Sequence, residues 1–156
     1  MMEVMEVMEA RTVANPLLTF ITYITSSLHH FRRMTKLLQI SDPHFGTEQP
    51  PVVAALLDLA RSLDPEVIVL SGDITQRARR KQFDAARRFV DRLDIPRVVA
   101  IPGNNDVPLF NLPARLFAPY ANHCREFGPE LEPGFESDRL LVLALNTTRR
   151  YRHKHG

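Results

Sequence analysis

The chain has 156 residues, enough for one domain with a buried core. Its apolar fraction of 44% and charged fraction of 24% exclude wholesale disorder, collagen and an extended coiled coil. Twenty basic against eighteen acidic side chains leave a net charge of +2, too balanced to mark a nucleic-acid binder by itself.

Met1 to Glu9 reads MMEVMEVME, a short repeat that puts acids where a secretory leader would carry bases. Pro16 to Leu28 is apolar but diluted by hydroxyl residues that fall on several faces of any helix. Residues 1–33 are therefore expected to be a loosely ordered extension, with targeting or membrane contact as the alternative. The domain is expected to span residues 34–156. No run reaches the roughly 18 apolar residues of a membrane span. A membrane partner is not expected.

The domain opens with Leu37–Ile40, a short apolar run and first predicted strand. Pro50-Pro51 then starts a helix whose apolar positions Val52, Leu56, Leu59 or Ala60, and Leu63 recur at helical spacing. Asp64-Pro65 ends it. Val67–Leu70 is a continuous apolar run, the mark of a strand buried on both faces. A second helix is predicted over about residues 79–93, with Phe83, Ala86, Phe89 or Val90, and Leu93 as its apolar stripe. Arg97–Ile101 is the third predicted strand. Pro113 and Pro119 break up any helix that follows, and Leu140–Leu145 is a fourth apolar run. Strands alternating with helices point to a layered α/β domain with largely parallel pairing and right-handed crossovers. A doubly wound dinucleotide fold would alternate similarly, but Gly46 alone does not make its Gly-rich turn, and no P-loop is present.

Each of the first three strands ends in polar residues able to bind a metal. The first gives Asp42 and His44, the second Asp73, and the third Asn104, Asn105 and Asp106. The intervals are 29 residues from His44 to Asp73 and 31 from Asp73 to Asn104. One strand–helix–strand unit takes about thirty residues. The three loops should therefore lie side by side at the carboxyl edge of one sheet, where open α/β folds bind ligands. Carboxylate with imidazole suits manganese, iron or zinc better than calcium. A carboxylate in the middle loop could bridge two ions about 3.5–4 Å apart, an arrangement that clamps a phosphoryl group and acidifies a bound water. Taken singly, each residue has a plainer reading: an Asp after a strand caps or turns, and a Gly-Asn turns. Equal spacing at three strand ends favours a shared site.

These motifs resemble the calcineurin-like metallophosphoesterase superfamily. Its pattern is D-x-H, then G-D, then G-N-H-D or G-N-H-E, then a later His and G-H-x-H. Ser41-Asp42-Pro43-His44, Ser71-Gly72-Asp73 and Pro102-Gly103-Asn104-Asn105-Asp106 match the first three in order. The flavour is similar to bacterial cyclic-nucleotide phosphodiesterases. The resemblance implies a two-sheet α/β sandwich with two divalent ions at the strand ends. It implies Asp42 and His44 on the first ion, Asp73 bridging, and Asn104 on the second. It also implies a small phosphoester or nucleotide substrate.

Two departures bear on activity. Asn105 stands where the family has a His that contacts phosphate and assists the leaving group as an acid. An amide donates a hydrogen bond but supplies no proton at neutral pH, and losing such help typically costs about 10²–10⁴-fold. Gly156 also comes before the family's last two motifs would be reached. The His153-Lys154-His155 triplet lacks the preceding Gly and reads as a basic loop. The chain is thus expected to be the amino-terminal portion of such a domain, with a second half missing and a hydrophobic face uncovered.

Seven basic side chains from Arg77 to Arg92 give the second helix region a local charge of about +5 after Asp84 and Asp91 are subtracted. A solvated helix face is the plain reading, and a rim that steers an anionic substrate the functional one. Arg149, Arg150, Arg152 and Lys154 form a second cluster in which Tyr151 is the one aromatic, against the stacking platforms of a nucleic-acid module. Phosphoester hydrolysis ranks first, an inactive metal-binding module second and nucleic-acid binding a distant third. Cys124, the lone cysteine, cannot form an internal disulfide and fits a reducing, cytoplasmic setting.

Overall fold

The computed structural model describes residues 35–149 and 151, together with the backbone of residues 21–25. The elements run β1 (Ile21–Thr25), β2 (Lys36–Ser41), α1 (Pro50–Leu63), β3 (Val67–Ser71), α2 (Arg80–Leu93), β4 (Val98–Ile101), α3 (Leu112–Phe117), α4 (Ala121–Phe127), β5 (Gly134–Glu136) and β6 (Leu141–Leu143). The main sheet has the order β1-β2-β3-β4, and β5 pairs with β6 in a second sheet.

Strand β3 lies inside this sheet because its sequence tolerates burial on both faces. Val67, Ile68, Val69 and Leu70 are all buried, and parallel ladders run to β2 (Leu37↔Val67 through Ser41↔Ser71) and to β4 (Ile68↔Val98 through Ser71↔Ile101). The crossovers are α1 and α2. Proline starts the first, and both end on a left-handed Asp, Asp64 and Asp94, a conformation that Asp tolerates better than most residues. Their apolar stripes meet one face of the sheet: Leu57, Ala60, Ala86, Phe89 and Leu93 pack with Leu38, Ile40, Ile68, Leu70 and Ala100.

The opposite face carries Val67, Val69 and Val99, packed against Ala144 with Phe135, Leu140 and Val142 of the β5–β6 hairpin. The hairpin covers this face of the main sheet, and the uncovered apolar face expected from the sequence lies on the hairpin's outer side, at Leu141, Leu143 and Leu145. The fourth apolar run does not extend the parallel sheet. It pairs antiparallel with β5 (Phe135↔Val142) and forms a third layer, so the chain has a helix–sheet–sheet sandwich. The period-two alternation of a strand turns Val142 and Ala144 inward and leaves Leu141, Leu143 and Leu145 exposed.

Within the segment expected to be a loose extension, β1 pairs antiparallel with β2, Ile21 opposite Ile40 and Thr25 opposite Lys36. The remainder of that segment lies outside the described residues, as do His153 and His155. Pro113 sits in the first turn of α3, and Pro119 falls between α3 and α4. Helix α4 docks on α2 through His123, fully buried between the rings of Phe83 (6.1 Å, edge-on) and Phe127 (5.3 Å). Arg125 pairs with Asp84 at 3.0 Å across the same contact. Among the described residues, no helix is long and apolar enough to cross a membrane.

Candidate metal centre

The parallel register brings the ends of β2, β3 and β4 level, and the loops that follow keep that register. The Asp42 N–H donates to Ser71 O (3.1 Å), His44 N–H to Asp73 O (3.1 Å) and Phe45 N–H to Ile74 O (2.8 Å). Between those bonds the first loop is bent sharply. Asp42 and His44 both adopt left-handed backbone, φ 52° and 46°, at a cost of about 1–2 kcal/mol for each non-glycine residue. Strain held by flanking hydrogen bonds is common where side chains must be aimed at a ligand.

The second loop is tied to the third. Gly72 N–H donates to Ile101 O at 3.1 Å, and Gly72 itself takes φ +70°. Gly103 lies directly against the second loop. A Cβ there would sit 1.9 Å from Asp73 N and 2.3 Å from Asp73 Oδ1, so only glycine fits. That close approach lets the Asn105 N–H donate to Asp73 Oδ1 at 2.9 Å.

The outcome is a convergent donor set. One ligand atom each from Asp42, His44 and Asp73 falls within 4.8 Å of the others. Donors bound at about 2.0–2.2 Å to one ion can stand up to roughly 4.4 Å apart, so only a small closure separates this arrangement from coordination. His44 Nδ1 is buried without a hydrogen-bond partner among the described residues. Two carboxylates and one imidazole suit manganese, iron or zinc. Asp42 is exposed and also accepts from the Ser41 hydroxyl, while His44 and Asp73 are half-buried.

The predicted third-strand residues divide three ways. Asn104 is exposed and lines a cleft of about 370 Å³ together with Asp42 and Asp73. Asn105 is half-buried, its side-chain oxygen 3.4 Å from Asn104 Nδ2. Asp106, grouped by sequence with the metal-capable residues, turns inward and is 1% exposed. Its Oδ1 accepts from the Thr75 N–H and hydroxyl, both at 2.7 Å, and its Oδ2 from Ile74 N–H (2.9 Å) and Gly103 N–H (2.8 Å). Burial pushes this carboxyl up to about 6, against the four donors, which act to lower it. Asp106 thus fastens the β3 and β4 loops together behind the donor set.

Sequence reasoning did not find two parts of the site. One is Gly103 as a steric requirement, signalled by the Pro-Gly pair before Asn104. The other is the part of the cleft lining that follows β6, formed by Leu145, Thr147, Thr148 and Arg149. Nothing in the local pattern after β6 announces it.

A family model described as calcineurin-like phosphoesterase matches residues 35–152. No curated protein matches the chain.

Proposed function

The chain belongs to the calcineurin-like phosphoesterase family, and we propose that it hydrolyses phosphoester bonds with divalent metal held at the strand ends. The observation that carries this reading is the convergence of Asp42, His44 and Asp73 within 4.8 Å. Asp42 and His44 would hold one ion. Asp73 and the Asn104 amide oxygen would hold a second, with Asp73 the carboxylate placed to be shared between the two. Bound there, divalent metal supplies Lewis-acid polarisation of the phosphoryl group and a water acidified toward neutral pH.

The chain's own residues orient the reactants. The Asn105 N–H holds Asp73 Oδ1, which fixes the direction of the remaining carboxylate lone pairs. The Asn105 side-chain amide can donate to a phosphoryl oxygen but has no proton to give a leaving group. The expected substrates are small phosphoesters, nucleotides among them, and turnover should favour those whose leaving groups depart without protonation. Aryl esters should outpace alkyl esters by about 10²–10⁴-fold more than with a general acid in place.

The same residue favours a second reading, a metal-binding module without turnover. One experiment separates the two. Chelated protein is reloaded with manganese and offered an aryl phosphodiester and an aryl phosphomonoester. Hydrolysis that requires the metal and disappears in Asp73→Ala supports the enzyme. Metal binding without hydrolysis supports the module. Hydrolysis indifferent to chelation, or equal in Asp73→Ala, overturns the metal-centred reading.

A further inference from the structure

We propose that Arg149 is the phosphate-binding arm of the cleft, gripping the phosphoryl group in the same cleft that Asp42 and Asp73 line. This inference rests on the phosphoesterase reading and adds the group that recognises the substrate's anion.

The geometry begins with the strap that follows β6. Asn146 Oδ1 accepts from Thr148 N–H at 3.0 Å and from the Thr148 hydroxyl at 2.6 Å. The Thr148 hydroxyl hydrogen is thereby committed, so the Tyr120 hydroxyl donates to Thr148 Oγ1 at 2.7 Å. The Asn146 N–H donates to Glu132 Oε1 at 3.0 Å. Three side chains, from the turn between α3 and α4, from before β5 and from the strap itself, thus fix the segment that carries Arg149.

Charge supplies the rest. Arg149 lines the cleft with Ser41, Asp42, Gly72, Asp73 and Asn104. Among the described residues it is the one cationic side chain that lines the cleft. It is exposed and, among the described residues, forms no ion pair with Asp73, although both signs share one cleft. An arginine fork held apart from a nearby carboxylate has donors to spare for an anion in the same cleft. Planar guanidinium recognises phosphate by paired N–H···O bonds that lysine cannot reproduce. The basic side chains of α2 do not line this cleft.

The test uses the full chain and inorganic phosphate as the probe. Manganese affinity is measured first by calorimetric titration, then phosphate affinity of the manganese-loaded protein. Arg149→Ala should weaken phosphate about 10–100-fold while leaving manganese affinity within about twofold. Arg149→Lys should fall between the two. Arg88→Ala, which removes an exposed arginine from α2, should leave phosphate binding unchanged. Phosphate affinity equal in Arg149→Ala and wild type, with manganese bound normally, overturns this inference and leaves the metal site standing. A loss as large in Arg88→Ala also overturns it, because net charge then accounts for the effect. Wild-type protein that binds no manganese removes the functional reading and this inference with it.

Discussion

Replacing Asp106 with Ala tests whether the loops at the strand ends are held from behind. The carboxylate is fully buried and receives three backbone N–H groups, of Ile74, Thr75 and Gly103, plus the Thr75 hydroxyl. Each donor left buried without a partner costs about 1–3 kcal/mol. The variant also escapes the cost of burying a charge. Moving the carboxyl from 3.8 to about 6 corresponds to about 3 kcal/mol at neutral pH. The difference predicts a net loss of about 1–9 kcal/mol, centred near 5 kcal/mol, a large fraction of the stability of a domain this size. Asp106→Asn should do little better, because its NH₂ group must face two of the four donors. Linkage fixes the sign of the pH effect. Between 3.8 and about 6 the native carboxyl binds a proton that the unfolded chain does not. The Asp106 contribution to stability therefore falls as pH rises through that window. The gap between wild type and Asp106→Ala should accordingly widen as pH drops from 7 toward 4. Urea unfolding at several pH values measures both effects. A variant within 1 kcal/mol of wild type, by the scale of a single orphaned donor, would refute the latch.

Gly103→Ala should destabilise by about 3 kcal/mol or more, because its Cβ meets Asp73 backbone rather than a movable side chain; thermal melting with and without manganese measures this, and wild-type stability would count against the packing argument. His123→Leu should raise stability by about 1 kcal/mol at pH 7, since both imidazole nitrogens are buried without partners. Burial lowers His123 to about 4 from 6.5. The unfolded chain therefore binds a proton that the native state refuses, and the His123 contribution to stability falls as pH drops through that window, by up to about 3 kcal/mol; comparing wild type with the variant at pH 7 and 4.5 should show the variant free of this loss. Asp73→Asn should weaken manganese binding by more than the roughly 10–100-fold typical of an outer hydrogen-bond partner, as read by calorimetry.

The layers of the main sheet were legible because burial leaves a plain mark on composition. Val67–Leu70 has no polar position, as a strand covered on both sides requires, and the α2 stripe from Phe83 to Leu93 names the face that meets it. The hairpin was harder. Gly134–Glu136 is three residues long and looks like loop, and the partner it selects for β6 depends on a fold-back that no local period encodes. Strand β1 lies in a threonine-diluted stretch whose backbone pairing with β2 comes from the edge that β2 offers.

The site divides along the same line. Asp42, His44 and Asp73 could be read because each follows a run that must be a strand, and parallel strands bring their ends together. Asp106 shows the limit. Its spacing matches that of Asn104, yet the 3-10 turn over Asn104–Asp106 sends its side chain inward to four donors. Spacing places a residue on a loop and says nothing of which side of a tight turn it faces. Arg149 arrives from the far end of the domain through the Tyr120–Thr148 bond, a contact between segments 28 residues apart.

The most direct measurement is anomalous diffraction at the zinc edge from crystals of the full chain grown with zinc. The account predicts a peak about 2.0–2.2 Å from one atom each of Asp42, His44 and Asp73, at the mouth of the cleft that Asn104 and Arg149 line. A peak elsewhere on the molecule, or none with zinc in excess, would contradict it.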